Sequence, residues 1–81
     1  MLSPMRNNLS ELTWVRDACR TGEARSLRKE RRLSLAEVAD PVGVSISALA
    51  RWERGNRKPQ GAAALRYARI LRSLQRTDVA S

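Results

Sequence analysis

Apolar residues recur along this chain at helical spacing in successive stretches, each bounded by residues that start or stop a helix. Leu9, Leu12, Val15 and Cys19 follow one another at intervals of three and four, and Asn8 followed by Glu11 has the form of a capping box. A short amphipathic helix is therefore expected from residue 8 to about residue 19, after a frayed start over residues 1–7. Trp14 lies off the stripe. Thr21 and Gly22 interrupt the pattern, and Thr21 is placed to cap a second helix that turns Ala24 and Leu27 inward and Arg25, Lys29, Arg31 and Arg32 to solvent, ending near Leu33.

Ser34 followed three residues later by Glu37 is a capping box, so a third helix begins there with Leu35, Val38 and Ala39 inward. Pro41 lacks a backbone donor and disfavours helical angles at Asp40, which predicts that this helix stops early; Gly43 then supplies the freedom of a sharp turn. Ser45 is the next N-cap. At about 100° per residue, Ile46, Ser47, Ala50, Arg51 and Arg54 share an arc of roughly 140°, and Ala48, Leu49 and Trp52 lie on the other side. One face packs and the other is left open. Gly55 closes the helix as its left-handed C′ residue. Asn56 to Pro59 read as a loop, and Ala64, Leu65, Tyr67, Ala68, Leu71 and Leu74 mark a final helix of about fifteen residues.

The stretch from Leu33 to Gly55 thus reads as helix, tight turn, helix, a shape that lets a short helix enter a DNA major groove. With those residues in view, the chain resembles the helix-turn-helix domain of the phage repressor and Cro family, also called XRE-type. The resemblance spans roughly Ala24 to Leu74 and rests on Arg28, Ala39, the Gly43-Val44-Ser45 turn and, most specifically, Arg51-Trp52-Glu53-Arg54-Gly55-Asn56-Arg57-Lys58-Pro59. It implies an all-α, compact five-helix, lambda-repressor-like fold with an extra N-terminal helix. The expected organisation is an extension over residues 1–20, the helix-turn-helix domain over 21–75 and a flexible tail over 76–81. It also implies a buried ion pair between Arg28 and Glu53.

Chemistry assigns roles within this frame. Arg51, one turn into the open face, can set its planar guanidinium against guanine O6 and N7; Ser47 can bond a base edge, Ile46 can touch a thymine methyl, and small Ala50 allows close approach. Arg54, Asn56, Arg57 and Lys58 lie in a loop whose family counterpart follows the sugar-phosphate backbone, so they position rather than specify. The helix starts near Ser34, Ser45 and Gln60 add polar groups and backbone donors for phosphate. The chain departs from the family at Leu35 and Ile46, where repressors often carry glutamines, which shifts weight from direct readout to DNA shape. Trp52 and Tyr67 are assigned to the core, and Arg66, Arg69, Arg72 and Arg76 to a solvated helix face.

Composition narrows the classes. At 81 residues there is one domain without room for a catalytic cleft, and an enzyme is the least expected class. The formal charge of +8 suits a polyanion, and residues 41–81, with 8 basic and 2 acidic side chains, carry most of it. Fourteen of the 16 basic residues are arginine, a bias that a GC-rich genome also produces. The arginines form no long amphipathic stripe with aromatic anchors, which argues against a membrane surface. One cysteine and no histidine leave no disulfide framework and no zinc ligand set, so no cofactor or metal is expected and Cys19 is read as a small buried residue. No export signal or spanning segment is visible, and the expected setting is cytoplasmic, on DNA in a bacterial or phage-infected cell.

The expected function is a sequence-specific regulator of double-stranded DNA, repressor or Cro-like, acting as two copies on a two-fold operator. Two other classes stay open: the antitoxin of a toxin–antitoxin pair, gripping its toxin through the extra helix, and a scaffold that keeps the fold but reads no sequence. The extra helix either packs only in cis or also touches a second copy.

Overall fold

The computed structural model describes the backbone of residues 4–80 and the side chains of residues 8–76, and over that span the chain forms five α-helices and no strand. They are α1 (Pro4–Thr21), α2 (Glu23–Glu30), α3 (Leu35–Val42), α4 (Ile46–Glu53) and α5 (Gly61–Ala80). The all-α class expected from the sequence is the observed one. α5 is the hub, packing on α1, α2 and α3, while α4 rests on α3 and α1. One core joins Val15, Ala18 and Cys19 of α1 to Ala24, Leu27, Val38, Ala39, Val42, Leu49, Trp52, Ala64, Tyr67, Ala68 and Leu71. Trp52 and Tyr67 meet as tilted rings 5.7 Å apart, so the aromatic pair sits at the join of α4 and α5.

Several boundaries differ from the expected ones. α1 begins at Pro4 rather than Asn8, so of the start expected to fray only residues 1–3 lie outside the described residues. Proline is well suited to a first helical position, where its fixed φ is already helical and its missing N–H has no partner to lose. Asn8 is inside the helix, and Glu11, expected to cap it, instead accepts two hydrogen bonds from Arg72 of α5, at 3.0 and 2.9 Å. Leu9 is 64% exposed: the buried face of α1 runs through Val15, Ala18 and Cys19, and Leu9 lies beyond it. Trp14 is half-buried, with the Arg72 guanidinium 4.1 Å above its ring.

Gly22, not Thr21, holds the N-cap position of α2, at φ 89°, with the Thr21 hydroxyl accepting from Glu23 N–H at a long 3.4 Å. α2 ends at Glu30 because the chain reverses through Arg32 at φ 57°, and Leu33 N–H returns to the Arg28 carbonyl at 3.1 Å. Arg31, expected in solvent, is half-buried and donates to the Leu74 carbonyl at 3.3 Å. Pro41 does not stop α3. It stands in the last turn, where one intrahelical bond is forfeited, and the helix continues to Val42, whose side chain is fully buried. α5 runs to Ala80 through residues expected as a tail; no glycine or proline follows Leu74 to break it, and only Ser81 lies outside the described residues.

Candidate nucleic-acid interface

The turn between α3 and α4 is fixed by local chemistry on both sides. Ser34 and Glu37 complete the capping box at 3.0 and 2.8 Å, and Gly43, at φ 85°, ends α3 by donating to the Ala39 carbonyl at 2.8 Å. Ser45 then starts α4, its hydroxyl accepting from Ala48 N–H at 3.0 Å. Arg66 of α5 donates through Nε to the Val42 carbonyl at 2.8 Å, so a residue assigned to a solvated face holds the last turn of α3.

α4 has two faces. Leu49 and Trp52 are buried, and Glu53 beside them is 7% exposed; Ile46, Ser47 and Arg51 point outward, Ile46 at 51% exposed. Ala48 and Ala50 are half-buried between the two. Arg28 and Glu53 meet in an ion pair, Nε to Oε2 at 2.6 Å and Nη2 to Oε1 at 3.0 Å. That bond raises the Arg28 pKa further above the usual arginine range, so the guanidinium stays charged although nearly buried. The pair fixes the end of α4 against α2, and with it the direction in which the outward face looks.

Past α4, Gly55 at φ 78° turns the chain, and the N–H groups of Asn56 and Arg57 both return to the Arg51 carbonyl, at 2.9 and 3.3 Å. Arg54, Asn56, Arg57, Lys58 and Gln60 are exposed, whereas Pro59 is buried and anchors the loop. Its carbonyl accepts from Arg16 Nε of α1 at 2.8 Å. Ser45, Ser47, Arg51, Arg57 and Gln60 together line one open depression of about 370 Å³. Lys58 lines a neighbouring groove with Arg16, Arg20 and Arg57. Ile46, Ala50, Arg54 and Asn56 stand outside both depressions. Ser34 is at the far end of α3, where the capping box uses its hydroxyl and its N–H and sets the Glu37 carboxylate at the helix start.

Arg16 and Arg20 also line the groove of Lys58, and only their spacing of four on a helix marks them in the sequence. Arg72, read as solvated, is taken by Glu11 and Trp14. Cys19 is 3% exposed, and burial pushes its thiol up to about 12, which keeps it protonated and unreactive. Burial likewise raises the Tyr67 hydroxyl. Among the described residues no group of His, Cys, Asp and Glu is placed to hold a metal ion, and no helix is long and apolar enough to cross a membrane.

A family model described as helix-turn-helix fits residues 25–80, from the third residue of α2 to the end of α5. No curated protein and no solved structure matches the chain significantly. With more than half the chain under the family model, and with a capped helix, a glycine turn and a two-faced second helix inside it, the protein belongs to the XRE-type helix-turn-helix family of DNA-binding regulators.

Proposed function

We propose that the protein is a sequence-specific regulator, repressor or Cro-like, that lays α4 in the major groove of an operator and so excludes polymerase or a competing regulator. The observation that carries this reading is the outward face of α4, where Arg51 and Ile46 stand exposed opposite buried Leu49 and Trp52. Arg51 reads a guanine through O6 and N7, Ser47 bonds a neighbouring base edge or phosphate, Ile46 meets a thymine methyl, and Ala50 lets the backbone approach. Arg54, Asn56, Arg57, Lys58 and Gln60 grip the phosphates on one side of the groove, with Ser45 at the start of α4; Ser34 is left out, because the Glu37 carboxylate already occupies the start of α3. Two copies bind a two-fold operator with their α4 helices one DNA turn, about 34 Å, apart.

Selection of bound sequences from a random duplex pool tests this. A two-fold-symmetric motif is the expected result; retention of DNA without any enriched sequence rejects sequence reading and leaves a scaffold.

A second reading, an antitoxin that also controls its own promoter, draws on the apolar notch formed by exposed Leu9 with Leu12 and Leu65, which shares no lining residue with either basic depression. Its mark is a single small protein that copurifies stoichiometrically and is released by Leu9→Asp.

A further inference from the structure

We propose that α1 is a second DNA-backbone element, with Arg20 and Arg16 extending the phosphate track of the loop after α4; the inference rests on the DNA-binding reading above. Three observations lead to it. First, α1 and the loop form the two walls of one groove of about 510 Å³, with Arg16, Asp17 and Arg20 on one side and Arg57, Lys58 and Pro59 on the other. Second, the walls are tied together: Arg16 Nε donates to the carbonyl of buried Pro59 at 2.8 Å, so α1 cannot drift from the loop without breaking that bond. Third, Arg57 lines this groove and also the depression that holds Ser47 and Arg51. The basic surface is therefore continuous from the open face of α4, across Arg57, to α1.

The charge balance of the groove fits a chain of phosphates. Four cationic side chains line it against one carboxylate, Asp17. Asp17 pairs with Arg20 at 2.5 Å, but both side chains are mostly exposed, at 60% and 72%, and a water-screened pair of this kind yields readily to a phosphate. Arg16 has its Nε committed to Pro59, which aligns its guanidinium with the loop. The ligand is thus the sugar-phosphate backbone beyond the stretch that the loop alone covers, and the effect is on footprint and affinity rather than sequence.

Binding of a short random-sequence duplex, followed by fluorescence anisotropy over a salt series, tests the assignment. Each phosphate contact adds about 0.9 to the slope of log affinity against log salt. Arg20→Gln and Lys58→Gln should each make the slope shallower by about that amount. Arg69→Gln, which alters an exposed α5 arginine in a different depression beside Asn8 and Glu11, should leave the slope unchanged. Asp17→Asn, which removes the one carboxylate, should tighten binding at every salt concentration, an effect that a merely structural role for α1 does not produce. Thermal unfolding controls for folding. A wild-type slope in Arg20→Gln beside a shallower one in Lys58→Gln overturns the α1 contact and leaves the DNA reading standing. An unchanged slope in Lys58→Gln as well overturns the loop's phosphate track and the inference with it, whereas no duplex binding by wild type overturns the DNA reading itself.

Discussion

Arg28 of α2 and Glu53, the last residue of α4, are bound through two hydrogen bonds of 2.6 and 3.0 Å across 25 positions of sequence, and Arg28 also donates to the Leu33 carbonyl at 2.7 Å. One side chain therefore sets both the exit of α2 and the end of α4. Side-chain exposure is 10% for Arg28 and 4% for Glu53, so removing either partner strands a charge away from water. Glu53→Leu should cost about 3–5 kcal/mol, a large share of the stability of so small a domain. The double variant Arg28→Met/Glu53→Leu should recover most of that loss. Urea titrations followed by circular dichroism check this; equal destabilisation of single and double variants would assign the loss to packing.

Arg51 and Lys58 should separate specificity from affinity. Arg51→Ala should weaken binding to the selected operator by about 1–3 kcal/mol and relax one base position, because a bidentate contact to guanine is lost. Lys58→Gln should weaken operator and random duplex alike. Competition titrations measure both, and an unchanged operator-to-random ratio in Arg51→Ala removes Arg51 from base reading.

Gly43 and Gly55 both adopt left-handed backbone, at φ 85° and 78°, but in different surroundings. A Cβ at Gly43 would stand 2.9 Å from Arg66 Nη2, whereas one at Gly55 would meet nothing within 4 Å. Both alanine variants carry a backbone cost of about 1 kcal/mol. Gly43→Ala should lose slightly more, because the Nη2 end of Arg66 must also give way beside the Nε bond to the Val42 carbonyl. Thermal midpoints in the order wild type, Gly55→Ala, Gly43→Ala are expected; the reverse order of the two variants rejects the role of Arg66.

The parts of the fold that were legible in the sequence are those written in neighbouring residues. Ser34 with Glu37, Ser45, Gly43 and Gly55 act on backbone groups within a few positions, and the two faces of α4 follow from helical period alone. The extent of the core was not so written. Leu9 continues the period of Leu12 and Val15, yet it is exposed, because what covers a stripe depends on where α5 lies. Arginine misled most: Arg31, Arg66 and Arg72 read as solvated from the sequence, and each bonds a group 24 to 61 positions away. Pro41 misled in a smaller way, since burial of Val42 outweighs one absent backbone bond.

Cys19 and Tyr67 should make the protein base-sensitive. In the unfolded chain the thiol ionises near its ordinary 9.0, but in the folded one burial keeps it protonated to about 12. The folded state thus holds more protons than the unfolded state in that window, so the thiol's contribution to stability is constant below about pH 9 and declines from there toward about pH 12. The slope approaches about 1.4 kcal/mol per pH unit, and Tyr67, raised by burial from 10.0, adds to it at the upper end. Urea midpoints at about pH 8 and about pH 10.5 measure it. Cys19→Ala should flatten the decline, and a slope unaltered by Cys19→Ala removes the thiol as its source.

α1 should be indispensable to folding, although the family match begins after it. It places Val15 at 0% exposure and Ala18 and Cys19 at 3% against the rest of the core. Burying a valine side chain alone contributes about 1.5–3 kcal/mol, so losing all three residues and exposing their partners removes much of a small domain's margin. Its outer edge is clipped to α5 by Arg72, which holds Glu11 at 2.9 Å and covers Trp14. Arg72→Ala, which loses a half-exposed ion pair and a cation–π contact, should cost about 1–2 kcal/mol. Removal of residues 1–20 should abolish the cooperative thermal transition altogether. A truncated chain that still melts cooperatively, near the wild-type midpoint, would make α1 an appendage and return the whole core to residues 21–76.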